Sequence, residues 1–357
     1  MPHPPARRVV SYCNALRESM ETALACNEHA FIIGQGVDDH KALFGTTAGL
    51  VERFGAERVM DTPLAEEGIM GIAIGAALNG MYPILTHIRA DFMLVATNQI
   101  INLAAKYRYM FGGCFEVPLL IRAIVGRSWG QGAQHSQSLQ SLFAHIPGLH
   151  VVMPANSGTI LDTYPHIFSK IKGPVISFEH RLLYNLDFNV EPAEPIADPM
   201  AARLVRRGRD VTIVATSIMV LEATRAAHHL ESQGIECEVI DLHCVSHVDA
   251  GRIIESLERT GRLVIADTSW PAYGVAAEIC RVVCEHGPHL LRAPVRSLGM
   301  APAPCPTAKA LEDRYYPGLD DLCDVVAQVV TGRPDHGIAL PGEQSMADVY
   351  KRFRGPF

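Results

Sequence analysis

A recurring unit constrains this chain more than any other feature. It is a short, unbroken apolar run, then glycine, proline or polar residues, then a stretch with apolar side chains at helical spacing. Ala30-Phe31-Ile32-Ile33-Gly34, Pro83-Ile84-Leu85-Thr86, Val117-Pro118-Leu119-Leu120-Ile121-Arg122 and Leu149-His150-Val151-Val152-Met153-Pro154 are runs of this kind. A strand without polar alternation has both faces covered, which a parallel sheet clothed by helices provides. Helices are predicted ahead of Ala30, where Val9, Tyr12, Leu16, Met20 and Leu24 recur, over Glu66 to Leu78, and from Phe92 to Tyr109. The Gly and Ala residues of the second allow close backbone approach. In the third, Phe92, Val95, Ile100, Leu103 and Ala104 form the apolar side, and Tyr107 and Tyr109 read as packing residues.

Around 186–200 the pattern breaks into LDFNVEPAEPIADPM, whose prolines and acids read as an interdomain linker. Beyond it the alternation restarts, with strands at Val211–Ala215, Cys237–Leu242 and Arg262–Asp267 and helices near 219–232, 249–258 and 274–286. The expected fold class is therefore α/β in two domains, the first over 1–187 and the second over 205–340, joined by 188–204 and followed by a tail over 341–357. Ligand chemistry belongs at the carboxyl ends of the strands.

Composition removes several classes. Acidic residues exceed basic ones by 38 to 31, so there is no broad cationic field for nucleic acid. The nine cysteines are odd in number and scattered, with only Cys280 and Cys284 close together, which argues against a disulfide framework or a zinc site. The start lacks the apolar core of a signal peptide, and no apolar stretch reaches the roughly 18 residues that span a membrane. A soluble, cytoplasmic protein that binds neither nucleic acid nor membrane is expected.

Three segments are candidates for chemistry. In DTPLAEEGIMGIAIGAALNG, residues 61–80, Glu66 sits where a turn enters a helix of small residues, and apolar surroundings would raise its pKa into a range suited to proton exchange. The alternative is that Glu66 and Glu67 simply favour a helix N-terminus. GRSWGQGAQHSQSLQ, residues 126–140, is too polar for a core and lies between buried strands, so His135 is a candidate proton donor or oxyanion partner as well as a solvated histidine. In residues 89–113, Phe92 either offers a ring face to a flat heterocycle or belongs to the core. The chain has Gly34 and Gly36 without a complete dinucleotide fingerprint, no phosphate-binding loop with a lysine and no nucleophile elbow, which weakens a dehydrogenase or serine-hydrolase reading.

Taken in order, GLVERFGAERVMDTPLAEEGIMGIAIGAALNGMYPI, ADFMLVATNQIINLAAKYRYMFGG, GAQHSQSLQSLFAHIPGLHVVMPA and GPVISFEHRLLY resemble the beta subunit of the E1 component of 2-oxoacid dehydrogenase complexes. The pyruvate and branched-chain types are meant. VIDLHCVSHVD, TGRLVIADTSWPAYGVAAEI and LEDRYYPGLDDLCDVV extend the resemblance to about residue 335. It implies a pyrimidine-binding domain for thiamine diphosphate followed by a transketolase C-terminal-like domain. It also implies a heterotetramer in which an alpha chain holds the diphosphate and Mg²⁺ through a GDG motif that this chain lacks. A lipoyl-bearing E2 acyltransferase and a small 2-oxo acid are the further implied partners. Glu66 matches the glutamate that bonds to the pyrimidine ring nitrogen, Phe92 the aromatic residue packed on that ring, and His135 the histidine that stabilises the substrate-derived intermediate and assists acyl transfer. Gln35 and Leu64 fall in the cofactor-binding positions, and the region from Pro154 to Asn156 corresponds to one that holds a structural K⁺ in some members.

Departures from the family pattern are Gln35 and Gly36 in place of acids, Thr86 in place of a common glutamate and Arg89 in place of an aromatic or small residue. Asp267 and Thr268 also stand at a usual pair of acids, or a histidine and an acid, and CPTAK replaces a more usual MPYA. Loss of a carboxylate and gain of a cation near the cofactor are compatible with an unusual donor or acceptor. The expected activity is decarboxylation of a 2-oxo acid with acyl transfer to lipoyl. One alternative is a carboligase or split transketolase that passes the fragment to an aldehyde or oxo acid, and another is a non-catalytic structural paralogue.

Overall fold

The computed structural model describes residues 8–39, 41–127, 130–190 and 197–342. The described residues divide into two compact units, one built from those within 8–125 and 142–200, the other from those within 126–141 and 201–342.

In the first unit β1 (Arg8–Ser11) leads into α1 (Tyr12–Cys26), β2 (Ala30–Gly34), α2 (Leu50–Phe54), β3 (Val59–Asp61), α3 (Glu66–Leu78) and β4 (Tyr82–His87). After an irregular helical stretch come α4 (Tyr107–Met110), β5 (Leu119–Val125), α5 (Gln140–Ala144), whose first two residues belong to the second unit, β6 (His150–Val152), α6 (Ser157–Lys170), β7 (Pro174–His180) and β8 (Asp187–Val190). Six strands form a sheet in the order β3-β2-β4-β5-β7-β6 with every pairing parallel. All residues of β2, β4, β5 and β7 are buried, as expected when both faces are covered.

The first helix begins later than its periodicity predicts. Val9 lies on β1, which pairs antiparallel with β8, and is 67% exposed. Ser11 ends that strand and caps α1, its Oγ accepting from the backbone N of Asn14 at 3.1 Å. The expected linker accordingly has strands at both ends, β8 up to Val190 and β9 (Arg203–Arg206), while 191–196 lie outside the described residues. Most of the expected tail, from 343, lies outside them as well.

The long helix expected from Phe92 to Tyr109 is broken into a 3₁₀ segment (Ala90–Ala96), a π segment (Gln99–Ala104) and α4. Overwound and underwound turns shift the helical phase. Met93, Ala96, Ile100 and Ala104 are buried, whereas Phe92 and Val95 are exposed and Tyr109 is 89% exposed, so these three are not core residues in this chain. The glycines of α3 also differ from expectation. No atom among the described residues lies within 4 Å of a Cβ built at Gly68 or Gly75, so no close approach uses them.

In the second unit β9 is followed by β10 (Val211–Ala215), α7 (Ile218–Glu231), β11 (Cys237–Asp241), α8 (Ala250–Thr260), β12 (Leu263–Ala266), α9 (Val275–His286), β13 (Arg296–Leu298), α10 (Lys309–Tyr315) and α11 (Leu319–Thr331). The sheet order is β13-β12-β10-β11-β9, parallel except for the edge strand β9. Asp249 caps α8 by accepting from the N of Arg252, and Gly261 ends it in the left-handed conformation. All nine cysteines are free thiols. Among the described residues no helix is long and apolar enough to cross a membrane.

Candidate functional site

The carboxyl ends of β2 and β4 are held very close. A Cβ at Gly34 would stand 2.5 Å from the carbonyl oxygen of Thr86, its partner in register, so only glycine ends β2 here without displacing β4. The chain then turns. Asp61, at the end of β3, accepts from the backbone N of Gly36 at 2.7 Å and fixes that turn. Gln35 is thereby placed so that its Nε2 donates to Oε1 of Glu66 at 3.4 Å. Glu66 opens α3 and is half-buried, with Glu67 beside it in the first turn, where both carboxylates favour the helix dipole. Glu67 accepts from Gln99 at 3.3 Å.

His87, the last residue of β4, was not singled out by sequence reasoning. It is buried, and burial pushes its imidazole down to about 4, against the opposing pull of the Glu66 carboxylate. It is therefore neutral at physiological pH. Among the described residues no hydrogen-bond partner reaches Nε2 of His87 or Oγ1 of Thr86, although both atoms are buried. A histidine interrupting an apolar strand was the available signal. Arg89 follows, its Nη1 donating to the carbonyl of Ile88, and burial lowers its pKa while Asp91 opposes the shift. Phe92 is 37% exposed and Leu64 81% exposed, so both present apolar surface rather than core.

His135 belongs to the other compact unit, in the segment 130–141. It is half-buried, and its backbone N donates to the carbonyl of Gly132 at 3.4 Å. The segment is fastened to the end of β12. Nε2 of Gln140 donates to Oδ1 of Asp267 at 2.9 Å, and Oγ of Ser138 lies 3.0 Å from Oγ1 of Thr268 and donates to Oε1 of Gln140 at 2.7 Å. The same Asp267 oxygen accepts from Thr216 and from the backbone N of Thr268. Burial raises the Asp267 pKa, and these donors oppose the rise.

The region near Pro154 and Asn156 is engaged within the chain. The Pro154 carbonyl accepts from Tyr12 at 2.9 Å, and Asn156 caps α6 by accepting from the N of Thr159. Among the described residues no cluster of histidine, cysteine, aspartate or glutamate could hold a metal ion. Sequence reasoning also passed over a buried tetrad. Glu179 accepts from Arg122 at 2.7 and 2.8 Å and from Tyr164 and Tyr184, each at 2.8 Å. All four side chains are fully buried inside the first unit and bind one another.

Known proteins match this arrangement over both units. The family described as the pyrimidine binding domain of transketolase matches residues 8–187, and the C-terminal domain of transketolase matches 201–322. The beta subunit of acetoin:2,6-dichlorophenolindophenol oxidoreductase from Bacillus subtilis (strain 168) is 37% identical, covering 92% of this chain and 98% of that protein. The beta subunit of the pyruvate dehydrogenase E1 component from Rhizobium meliloti (strain 1021) is also 37% identical, covering 88% of this chain and 68% of that protein. A solved structure described as a split gene transketolase, inactive beta4 tetramer, has the same fold, with a TM-score of 0.70, 23% identity and coverage of 89% of this chain and 97% of that one. Two domain matches in the right order and relatives aligned across both units lead to one conclusion: the chain belongs to the E1 beta subunits of the pyruvate and branched-chain 2-oxoacid dehydrogenase type, within the transketolase-like superfamily.

Proposed function

We propose that this chain is the beta half of a thiamine-diphosphate enzyme that decarboxylates a 2-oxo acid and passes the acyl fragment to a lipoyl group on an E2 acyltransferase. The observation that carries the reading is the Glu66 carboxylate held by the Gln35 amide at the carboxyl edge of the first sheet. The residues there suit a flat, partly polar ring. A half-buried carboxylate, exposed apolar groups at Phe92 and Leu64, and buried Nε2 and Oγ1 atoms without protein partners among the described residues all await a ligand of that character. When bound, thiamine diphosphate supplies the electron sink for loss of CO₂.

In this reading Glu66 exchanges a proton with the pyrimidine nitrogen, and the Gln35 amide keeps one carboxylate oxygen turned. Neutral His87 adds no positive charge beside that carboxylate. Phe92 covers a ring face and keeps water from it. His135 holds or delivers a proton at the substrate oxygen. The diphosphate and Mg²⁺ fall to an alpha chain, two of which join two beta chains.

Reconstitution with the alpha chain, thiamine diphosphate and Mg²⁺ gives CO₂ release in a screen of pyruvate, branched-chain and dicarboxylic 2-oxo acids. Glu66→Ala lowers that rate by roughly 10²–10⁴-fold, the usual worth of a positioned proton-transfer group. Unchanged release in the variant would remove Glu66 from the mechanism, and absence of any release from the native pair would favour a structural paralogue. The acetoin oxidoreductase relative supports a second reading in which a hydroxyketone replaces the oxo acid as donor. Acetoin consumption without CO₂ release would distinguish it. Product formation dependent on an added aldehyde rather than on lipoyl groups would indicate a carboligase.

A further inference from the structure

We propose that Asp267 is the positioning residue for the segment that carries His135, acting through Gln140. The inference rests on the reading of His135 as a catalytic group and adds the device that holds it. The segment 130–141 is gripped at both ends. At its beginning Gly130 and Gly132 have φ of +62° and +70°, and a Cβ on either would stand 2.5 or 2.6 Å from Thr307 atoms. At its end the Gln140 amide and the Ser138 hydroxyl reach Asp267 and Thr268. His135 lies between these two grips.

Asp267 is suited to the task because its side chain is fixed first. Oδ1 accepts from Thr216 after β10 and from the backbone N of Thr268, so the acceptor offered to Gln140 is set by two strand ends. All four groups are buried, which makes a lost partner costly and the geometry sharp. Oδ2 of Asp267 has no hydrogen-bond partner among the described residues, so the entire anchoring role falls on one oxygen. The carboxyl oxygen, not a second charge, is what the segment requires.

The test uses the complete enzyme reconstituted with its alpha chain and reads two things, amide hydrogen exchange over 130–141 and steady-state kinetics. Asp267→Ala is expected to speed exchange in that segment by about tenfold or more while the strands of the second sheet keep their protection. Turnover should fall by about 10²-fold with the oxo-acid KM changed little, as when groups are misplaced only in the transition state. Asp267→Asn, which keeps an oxygen for Gln140, restores most of both. Gln140→Ala removes the same bond from the loop side, does not disturb β12, and keeps the proposal testable if Asp267→Ala does not fold. Native exchange over 130–141 in Gln140→Ala, or equal acceleration throughout the second unit in Asp267→Ala, would overturn the proposal. A His135→Ala enzyme with native turnover would instead overturn the role of His135, whatever the exchange shows.

Discussion

Asp241 shows how a single buried side chain makes stability depend on pH. It ends β11 fully buried, its Oδ1 accepting from the backbone N of His243, and burial lifts its pKa to about 7. The folded chain therefore keeps a proton that the unfolded chain gives up above about 4. Its contribution is complete below that pH and is lost as pH rises through 7. His243 beside it is pushed the other way, down to about 3, by burial and by Arg203, so wild-type melting combines two opposing slopes. Comparison with Asp241→Asn isolates the carboxyl. The variant's melting temperature is expected to gain on the wild type steadily from pH 4 to 7 and to stay level above. A constant difference across that range would mean that Asp241 is charged when folded. Such residues are hard to read in advance, because a carboxylate at a strand end looks the same in sequence whether its surroundings are wet or dry. Glu66 was noticed for its setting, whereas His87 and the Arg122–Glu179 pair were not, since one polar letter within an apolar run carries no mark of its partner.

At the scale of elements, close approach rather than periodicity determines where the candidate site forms. Gly34 lets β2 and β4 meet without a gap, and the turn after it presents Gln35 to Glu66. Gly34→Ala must part these strand ends, and is expected to cost about 1–3 kcal/mol in urea unfolding, as overpacking does. The same substitution should weaken thiamine diphosphate binding by the reconstituted enzyme, which titration of the cofactor would measure. Unaltered affinity would show that the Gln35 turn does not depend on strand spacing. The buried parallel strands, α3 and the helices of the second unit were legible in the sequence, because unbroken apolar runs and helical spacing are local signals. β1 was not, because its partner β8 lies far along the chain. The stretch from 90 to 110 was misphased because a 3.6-residue template cannot represent successive 3₁₀ and π turns.

For the whole molecule, several large apolar side chains reach the surface of the two units. Leu64, Ile72, Tyr109, Met110 and Tyr273 are each more than half exposed. The sequence has no GDG motif, so the chain by itself is expected to release CO₂ from 2-oxo acids at no more than the background rate with thiamine diphosphate and Mg²⁺ supplied. Activity should appear only on addition of the alpha chain, and turnover by the beta chain alone would contradict the division of labour. The two-domain plan could be read in the break near residue 190, but the allegiance of the polar segment could not, since it interrupts the first domain in sequence and fastens to β12 through side chains distant along the chain. That allegiance bears on recombination between relatives. A chimera with a single crossover near residue 190 would graft one parent's histidine loop onto the other parent's acid. Inheriting 126–141 together with the second half would pass on the matched pair intact.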